Sequence, residues 1–297
     1  MPRVSVCMGV YNGAATVRDA LESARAQSFQ DFEVLVIDDG STDDSANLAE
    51  KLGARVIRQS NTGLGGVRKR LVEEATGDYI AFLDHDDEWI PNKLQADLNA
   101  IDQTGAALVH SDCWFHYEDG RVVERGLNLA KATNSWDHIL PDNVVIASSA
   151  VFHRESMLQA GNFIAETVRC SDWYGWLILA PHHTFAHIPK KQVRYRVLST
   201  SLANAGYRFQ SAKRFLLKDV IRPQTDKLFR ELDEGQRKQY VAMIDKNIGI
   251  AASTMAKFLD SEGKSDEARE LHREAIRLAK GVPRVWTRSI RSKLGLR

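Results

Sequence analysis

"YIAFLDHDDEW", residues 79–89, sets an apolar run directly against four carboxylic acids. Tyr79 to Leu83 reads as a buried strand. Asp84, Asp86, Asp87 and Glu88 cannot follow it unpaired into the interior, because like charges repel and desolvation penalises each of them. Two readings fit this stretch: a solvated acidic loop, or a site that takes up a cation. The neighbouring segments decide between them.

Upstream, "RVSVCMGV" (3–10), "FEVLVIDDG" (32–40) and "ARVIRQ" (54–59) are strand-like runs rich in β-branched residues. Between them lie helical patterns. "ATVRDALESARAQ" puts Val17, Leu21 and Ala24 on one face, and "STDDSANLAEKLG" offers Ser41 or Thr42 as N-cap and Gly53 as the stop. "NTGLGGVRKRLVEEATG" is a glycine-rich loop running into a third helix. Strands alternating with helices predict βαβ units and a parallel sheet, whose ligands bind beyond the carboxyl ends of the strands. Tyr11-Asn12, Asp38-Asp39 and the acids at 84–87 all sit at such ends. Three segments therefore bring polar groups to one rim, and a hard divalent cation such as Mg²⁺ or Mn²⁺ is what oxygen ligands there suit.

Past residue 105 the pattern changes. "AALVHSDCWFHY", "RVVERGL" and "NVVIASSAVFHRES" predict strands of a mixed sheet, the last followed by a short helix. Beyond a soft boundary at 205–210 the chain reads as helical. Tyr240, Ile244 and Ile248 mark one stripe, and Ser265 is the expected N-cap of "SDEARELHREAIRLAK". The expected division is residues 1–207, split into halves at 1–104 and 105–207, and a helical region at 208–297.

Composition narrows the class. A net charge of +1 over 297 residues gives no global attraction to nucleic acid. Cys7, Cys113 and Cys170 are odd in number and have no CxxC spacing, so neither a disulfide framework nor a zinc cluster is expected. With no long apolar run at the N-terminus or elsewhere, the expected compartment is the cytoplasm. His182, His183 and His187 share no helical face and read as structural or solvent-facing. Trp173, beside Asp172, reads equally as core or as a wall for a sugar ring. Gly63, Gly65 and Gly66 lack the spacing of a dinucleotide fingerprint and read as a loop passing close to a nucleotide.

"SVCMGVYNG", "LVIDDGSTDDS", "NTGLGGVRKR…ATGDYIAFLDHDDEW", "GNF", "SDWYGWLILA" and "VRYRV", in this order over residues 3–205, resemble glycosyltransferase family 2. The resemblance implies the GT-A fold, an α/β mixed sheet built on a parallel nucleotide-binding half joined to an acceptor-binding half. It implies an inverting enzyme using a nucleotide-diphosphate sugar, UDP on family grounds, with Mn²⁺ or Mg²⁺. By the same resemblance Tyr11 contacts the base, Asp39 reads it, Arg68 lies near the diphosphate, Asp84 faces the ribose and Asp86 ligates the metal. Asp172 matches the general base, with Ser171 where the family has glutamate. Further departures are Gly9 for proline, Lys69 for asparagine and Leu198 for a histidine. The processive members' QxxRW motif and membrane spans are not found, which favours addition of one sugar to a glycan, lipid-linked or protein acceptor. The rival readings are a degenerate glycan- or partner-binding member and a nucleotidyltransferase. The latter needs a cationic loop after the first strand, where "YNGAAT" offers none. The basic, partly apolar stretch 280–297 is a further expectation, either a packed or solvated tail or a peripheral contact with anionic membrane.

Overall fold

The computed structural model describes residues 1–125, 136, 139–167, 169–198, 206–283 and 285. It forms two compact units, Met1–Ser199 and Thr200–Arg297. In the first, the order is β1 (Val4–Val10), α1 (Val17–Arg25), β2 (Phe32–Asp38), α2 (Ser45–Lys51), β3 (Arg55–Arg58), α3 (Gly63–Glu74) and β4 (Tyr79–Phe82). Then come β5 (Glu88–Trp89), α4 (Lys93–Thr104), β6 (Leu108–Tyr117), β7 (Val122–Arg125), β8 (Val151–His153), α5 (Arg154–Ala160), α6 (Ser171–Leu179) and β9 (Phe185–Val197).

Strands β3, β2, β1 and β4 are parallel neighbours, with Cys7 opposite both Leu35 and Phe82. Beyond β4 the sheet turns mixed. β8 runs antiparallel to β4, β6 antiparallel to β8, and β9 parallel to β6. The tiny strand β5, immediately after the acids, pairs with β9 through Glu88 and Arg194. The run "NVVIASSAVF" contributes less strand than its apolarity suggests. Ala147–Ser149 is a 3₁₀ turn, and only Val151–His153 joins the sheet.

Alternation along the strands packs both faces of the sheet. Val4, Val6, Met8 and Val10 meet Val17, Ala20, Leu21 and Ala24 of α1 and Leu94, Leu98 and Ile101 of α4 in one buried cluster. On the other face Phe82, Phe152, Phe163 and Trp176 form an aromatic layer, with ring centroids 5.1 to 6.4 Å apart. Trp173 belongs to the core as well. It is fully buried, and its indole Nε1 donates to Ile139 O at 2.7 Å. It is therefore no wall of an open sugar site.

Two expected helix caps move. α2 begins at Ser45 after Asp44, because Ser41 and Thr42 are engaged elsewhere. The last helix begins at Ser265, with Lys264 preceding it. Among the described residues the second unit holds α7 (Gly206–Phe215), a π-helical segment (Leu216–Ile221) and short helical turns through Leu228, then α8 (Glu234–Ser261) and α9 (Ser265–Leu278). Asp233 and Gln236 form a capping box at the start of α8. Tyr240, Ile244 and Ile248 are buried along one stripe of α8, and its Ala252 and Ala256 pack on Ala275 and Ala268 of α9. Buried Glu274 receives Arg214 Nε and Lys218 Nζ at 2.6 Å each. Among the described residues no helix is long and apolar enough to cross a membrane. Of the basic C-terminal stretch 280–297, Arg284 and every residue from Trp286 onward lie outside the described residues.

α4 carries an unusual pair. Lys93 and Asp97, one turn apart, are both fully buried and bonded to each other, with Lys93 Nζ 4.7 Å from the centroid of Trp89. Removing one charge strands the other in a low-dielectric site. Asp97→Ala is expected to lower unfolding stability by about 3–5 kcal/mol. The double variant Lys93→Met with Asp97→Leu is expected to recover most of that loss, measured by urea denaturation.

Candidate active site

The rim above β1, β2 and β4 is built from loops that hold one another. Asn12, at φ 52°, adopts the left-handed conformation that asparagine tolerates. Its Oδ1 accepts Thr42 N at 2.8 Å and its own N–H donates to Ser41 Oγ at 2.9 Å. Gly13 N donates to Ser45 Oγ and Ala14 N to Asp43 Oδ2. The "STDDS" run thus serves the turn after β1 as well as its own helix. Tyr11, beside this interlock, is 51% exposed.

Asp39 is almost wholly buried. Its Oδ1 accepts Gln59 Nε2 at 2.8 Å, Thr62 N at 2.9 Å and Thr62 Oγ1 at 3.2 Å, while Oδ2 accepts Gly63 N at 2.9 Å. It receives the free N–H groups at the start of α3, a favourable place for a carboxylate. Oδ2, with one donor, keeps a lone-pair direction for a further one. Gly63, Gly65 and Gly66 lie in the first turns of α3 and not in a loop before it, and Gly65 has a packing role. A Cβ on Gly65 would lie 2.3 Å from Ile164 O, so Gly65 permits helix-to-loop packing. Likewise a Cβ on Gly9 would lie 2.6 Å from Val67 Cγ1, which seats α3 closely on β1.

Arg68, on α3, is 4% exposed and stands at the centre. Its Nη1 donates to Ser171 Oγ at 2.7 Å and lies 3.6 Å from Asp172 Oδ1, and its Nη2 lies 3.6 Å from Asp84 Oδ1. The guanidinium carbon is 5.5 Å from the Phe82 ring centroid. One cation therefore joins the end of β4 to the start of α6. Ser171, in the place of a glutamate, is a hydrogen-bond partner of this arginine.

The acids after β4 divide by role. Asp87 is buried and accepts Ser148 Oγ at 2.5 Å and Arg196 N at 3.0 Å. Burial raises its carboxyl well above the usual range, and the Asp86 and Asp84 charges raise it further. Desolvation also pushes Asp84 up, opposed by Arg68 and reinforced by Asp86. Asp86 is half-buried and makes no hydrogen bond or ion pair among the described residues. Tyr195, on β9, is raised first by burial and then by Asp87, Asp84, Asp86 and Asp172, so its hydroxyl stays a neutral donor. His85 Nδ1 lies 2.9 Å from Thr16 Oγ1. Among the described residues no group of three His, Cys, Asp or Glu is disposed to hold a metal. Of the acids 84–88, Asp86 is the one that pairs with no described residue, and the Leu198 side chain carries no ligating atom.

A profile of the family described as Glycosyl transferase family 2 matches residues 5–158. The chain belongs to glycosyl transferase family 2. It is 25% identical over 229 residues to the putative teichuronic acid biosynthesis glycosyltransferase TuaG of Bacillus subtilis, covering 74% of this chain and 89% of that protein. It is 43% identical over 94 residues to the putative glycosyltransferase EpsH of Bacillus subtilis, covering 30% of this chain and 27% of that one. The chain thus spans about a quarter of EpsH, and only 33% of two Rickettsia relatives. Among solved structures, S. aureus TarS superposes with a TM-score of 0.67 at 17% identity, over 99% of this chain and 92% of that one. The mannosyltransferase PcManGT of Pyrobaculum calidifontis, in complex with GDP-Man and Mn²⁺, gives 0.58 at 16% identity, over 99% and 86%. These likenesses identify the sheet as the GT-A fold.

The site residues expected from sequence lie on the first unit, and the structure adds two others. Ser148 Oγ takes Asp84 N at 3.0 Å while donating to Asp87, and Asn143 Nδ2 donates to Asp172 Oδ2 at 2.9 Å. Neither carries a local signal, since each acts on a carboxylate far away in sequence. Ser148→Ala leaves two buried polar groups short of a partner. It is expected to cost about 1–3 kcal/mol of stability, read by urea denaturation.

Proposed function

We propose that the protein is an inverting, metal-dependent glycosyltransferase that moves one sugar from a nucleotide-diphosphate sugar, most simply a UDP-sugar, to a hydroxyl of a glycan, lipid-linked or protein acceptor. The observation that carries this reading is the sharing of Arg68 between Asp84 and Asp172, beside an Asp86 that has no partner among the described residues. A carboxylate beyond the parallel strands and a carboxylate on α6 are thereby kept on one rim.

In this reading the exposed Tyr11 ring lies against the base, Asp39 accepts a base N–H through Oδ2, and Asp84 faces the ribose. Arg68, with its charge already shared by two carboxylates, sets the field beneath the diphosphate. Asp86, with a hard and unpartnered oxygen pair, suits Mn²⁺ or Mg²⁺. The cation, when bound, neutralises the leaving diphosphate. Asp172 takes the proton of the acceptor hydroxyl as that oxygen attacks the anomeric carbon opposite the leaving group. One carboxylate suffices, because direct displacement forms no glycosyl-enzyme intermediate. Support for the donor class comes from TarS, solved with UDP and with UDP-GlcNAc, and from PcManGT with GDP-Man and Mn²⁺. A contact of the basic 280–297 stretch with anionic membrane belongs to the same proposal, since it would bring the enzyme to lipid-linked acceptors.

Asp86→Ala is expected to abolish turnover and the Mn²⁺-dependent part of UDP binding in a folded protein, checked by calorimetry and circular dichroism. Full turnover in EDTA would remove the metal from the mechanism. Asp172→Asn keeps its shape but cannot accept a proton. Its transfer rate is expected to fall by about a hundredfold or more while UDP binding persists. A product that retains the anomeric configuration of the donor would reject direct displacement.

A further inference from the structure

The segment before the 3₁₀ turn runs along α6 and is tied to it at three places. Trp173 Nε1 donates to Ile139 O at 2.7 Å, Asn143 Nδ2 to Asp172 Oδ2 at 2.9 Å, and Trp176 Nε1 to Val145 O at 3.2 Å. The outer two ties are buried indoles that fix the backbone. The middle tie is different, because it ends on the carboxylate assigned as base.

We propose that Asn143 is a positioning residue that holds the Asp172 carboxylate in the orientation needed to take the acceptor's proton. This inference rests on the reading of Asp172 as the base. Asp172 Oδ2 is anchored by the Asn143 amide, while Oδ1 lies 3.6 Å from Arg68 Nη1. Each oxygen thus faces a different partner, and rotation of the carboxylate disturbs both contacts. An amide is the suitable partner, since it donates to the ionised carboxylate without adding a charge that would compete with Arg68.

The other end of the same side chain supports this role. With the NH₂ turned to Asp172, Asn143 Oδ1 is buried and has no hydrogen-bond partner among the described residues. Flipping the amide would set its oxygen against a carboxylate oxygen. The protein therefore keeps an unsatisfied acceptor to preserve one donor. Buried unpartnered acceptors are uncommon and cost stability. Selection for packing alone would favour an apolar side chain of similar size here. The cost is explained if the donor to Asp172 serves catalysis.

The test uses the full chain with a panel of UDP-sugars and Mn²⁺, reading UDP release with water as acceptor, UDP binding and urea stability. Asn143→Leu removes the donor and the orphaned oxygen together. Its kcat is expected to fall about ten- to a hundredfold, the rate equivalent of one hydrogen bond to a charged group, with donor KM and UDP affinity unchanged and stability equal or higher. Asn143→Asp keeps the shape but faces Asp172 with a like charge, and is expected to lose more than the leucine variant. Unchanged kcat in both, with Asp172→Asn impaired, overturns the role of Asn143 and leaves the base in place. Stability that falls in step with kcat in Asn143→Leu overturns it too, as a packing effect. If Asp172→Asn is itself unimpaired, or the wild type releases no UDP from any donor, the base reading fails and takes this inference with it.

Discussion

The Arg68 guanidinium is the constraint on which the site depends. A buried cation is tolerable only where anions and hydrogen-bond acceptors surround it, and here they come from distant parts of the chain. Asp84 ends the parallel half of the sheet, and Ser171 and Asp172 open α6. Displacing any of the three elements would leave a charge desolvated and uncompensated. The Phe82 ring beneath the guanidinium belongs to the aromatic layer of Phe152, Phe163 and Trp176, so the ionic contact stands on a packed floor. The serine at 171 fits this arrangement: a neutral hydroxyl binds Arg68 without drawing its charge away from Asp172.

Around this centre the acids are crowded but not equivalent. Asp87 is consumed by structure, since Ser148 and the backbone of Arg196 hold it and burial disfavours its charge. Arg196 itself is bonded to Glu88 and to Asp19, which fastens β9 to β5 and α1 beside the rim. Asp84 is shared with Arg68. Asp86 alone of this group has no hydrogen bond or ion pair among the described residues. A rim whose charges repel one another is one that a bound cation would stabilise, which is why the metal belongs to the proposed function.

The loops that present these groups are held by side chains. Asn12 binds Thr42, Gly13 binds Ser45, and Asp39 receives the start of α3. Such cross-links hold the rim in shape before a nucleotide arrives. This reduces the ordering cost on binding and keeps reacting groups in register.

The sequence by itself determined the parallel half of the fold. Short, nearly continuous apolar strands alternating with amphipathic helices leave little choice of topology, and strand ends in such a sheet share one rim. The roles expected of Tyr11, Asp39, Arg68, Asp84, Asp86 and Asp172 come from the family motifs at those strand ends and on α6, and they stay proposals. What tertiary structure decided is what each side chain touches. Ser41 and Thr42 look like helix caps in the sequence but bind Asn12, and Gly65 looks like a loop residue but makes room for Ile164 O. Trp173 is equally core or sugar wall until its indole is seen to meet Ile139 O. Asn143 and Ser148 carry no motif at all. Local pattern encodes hydrophobic period and turn chemistry, whereas a hydrogen bond between residues 29 or 61 positions apart exists only once packing has brought them together.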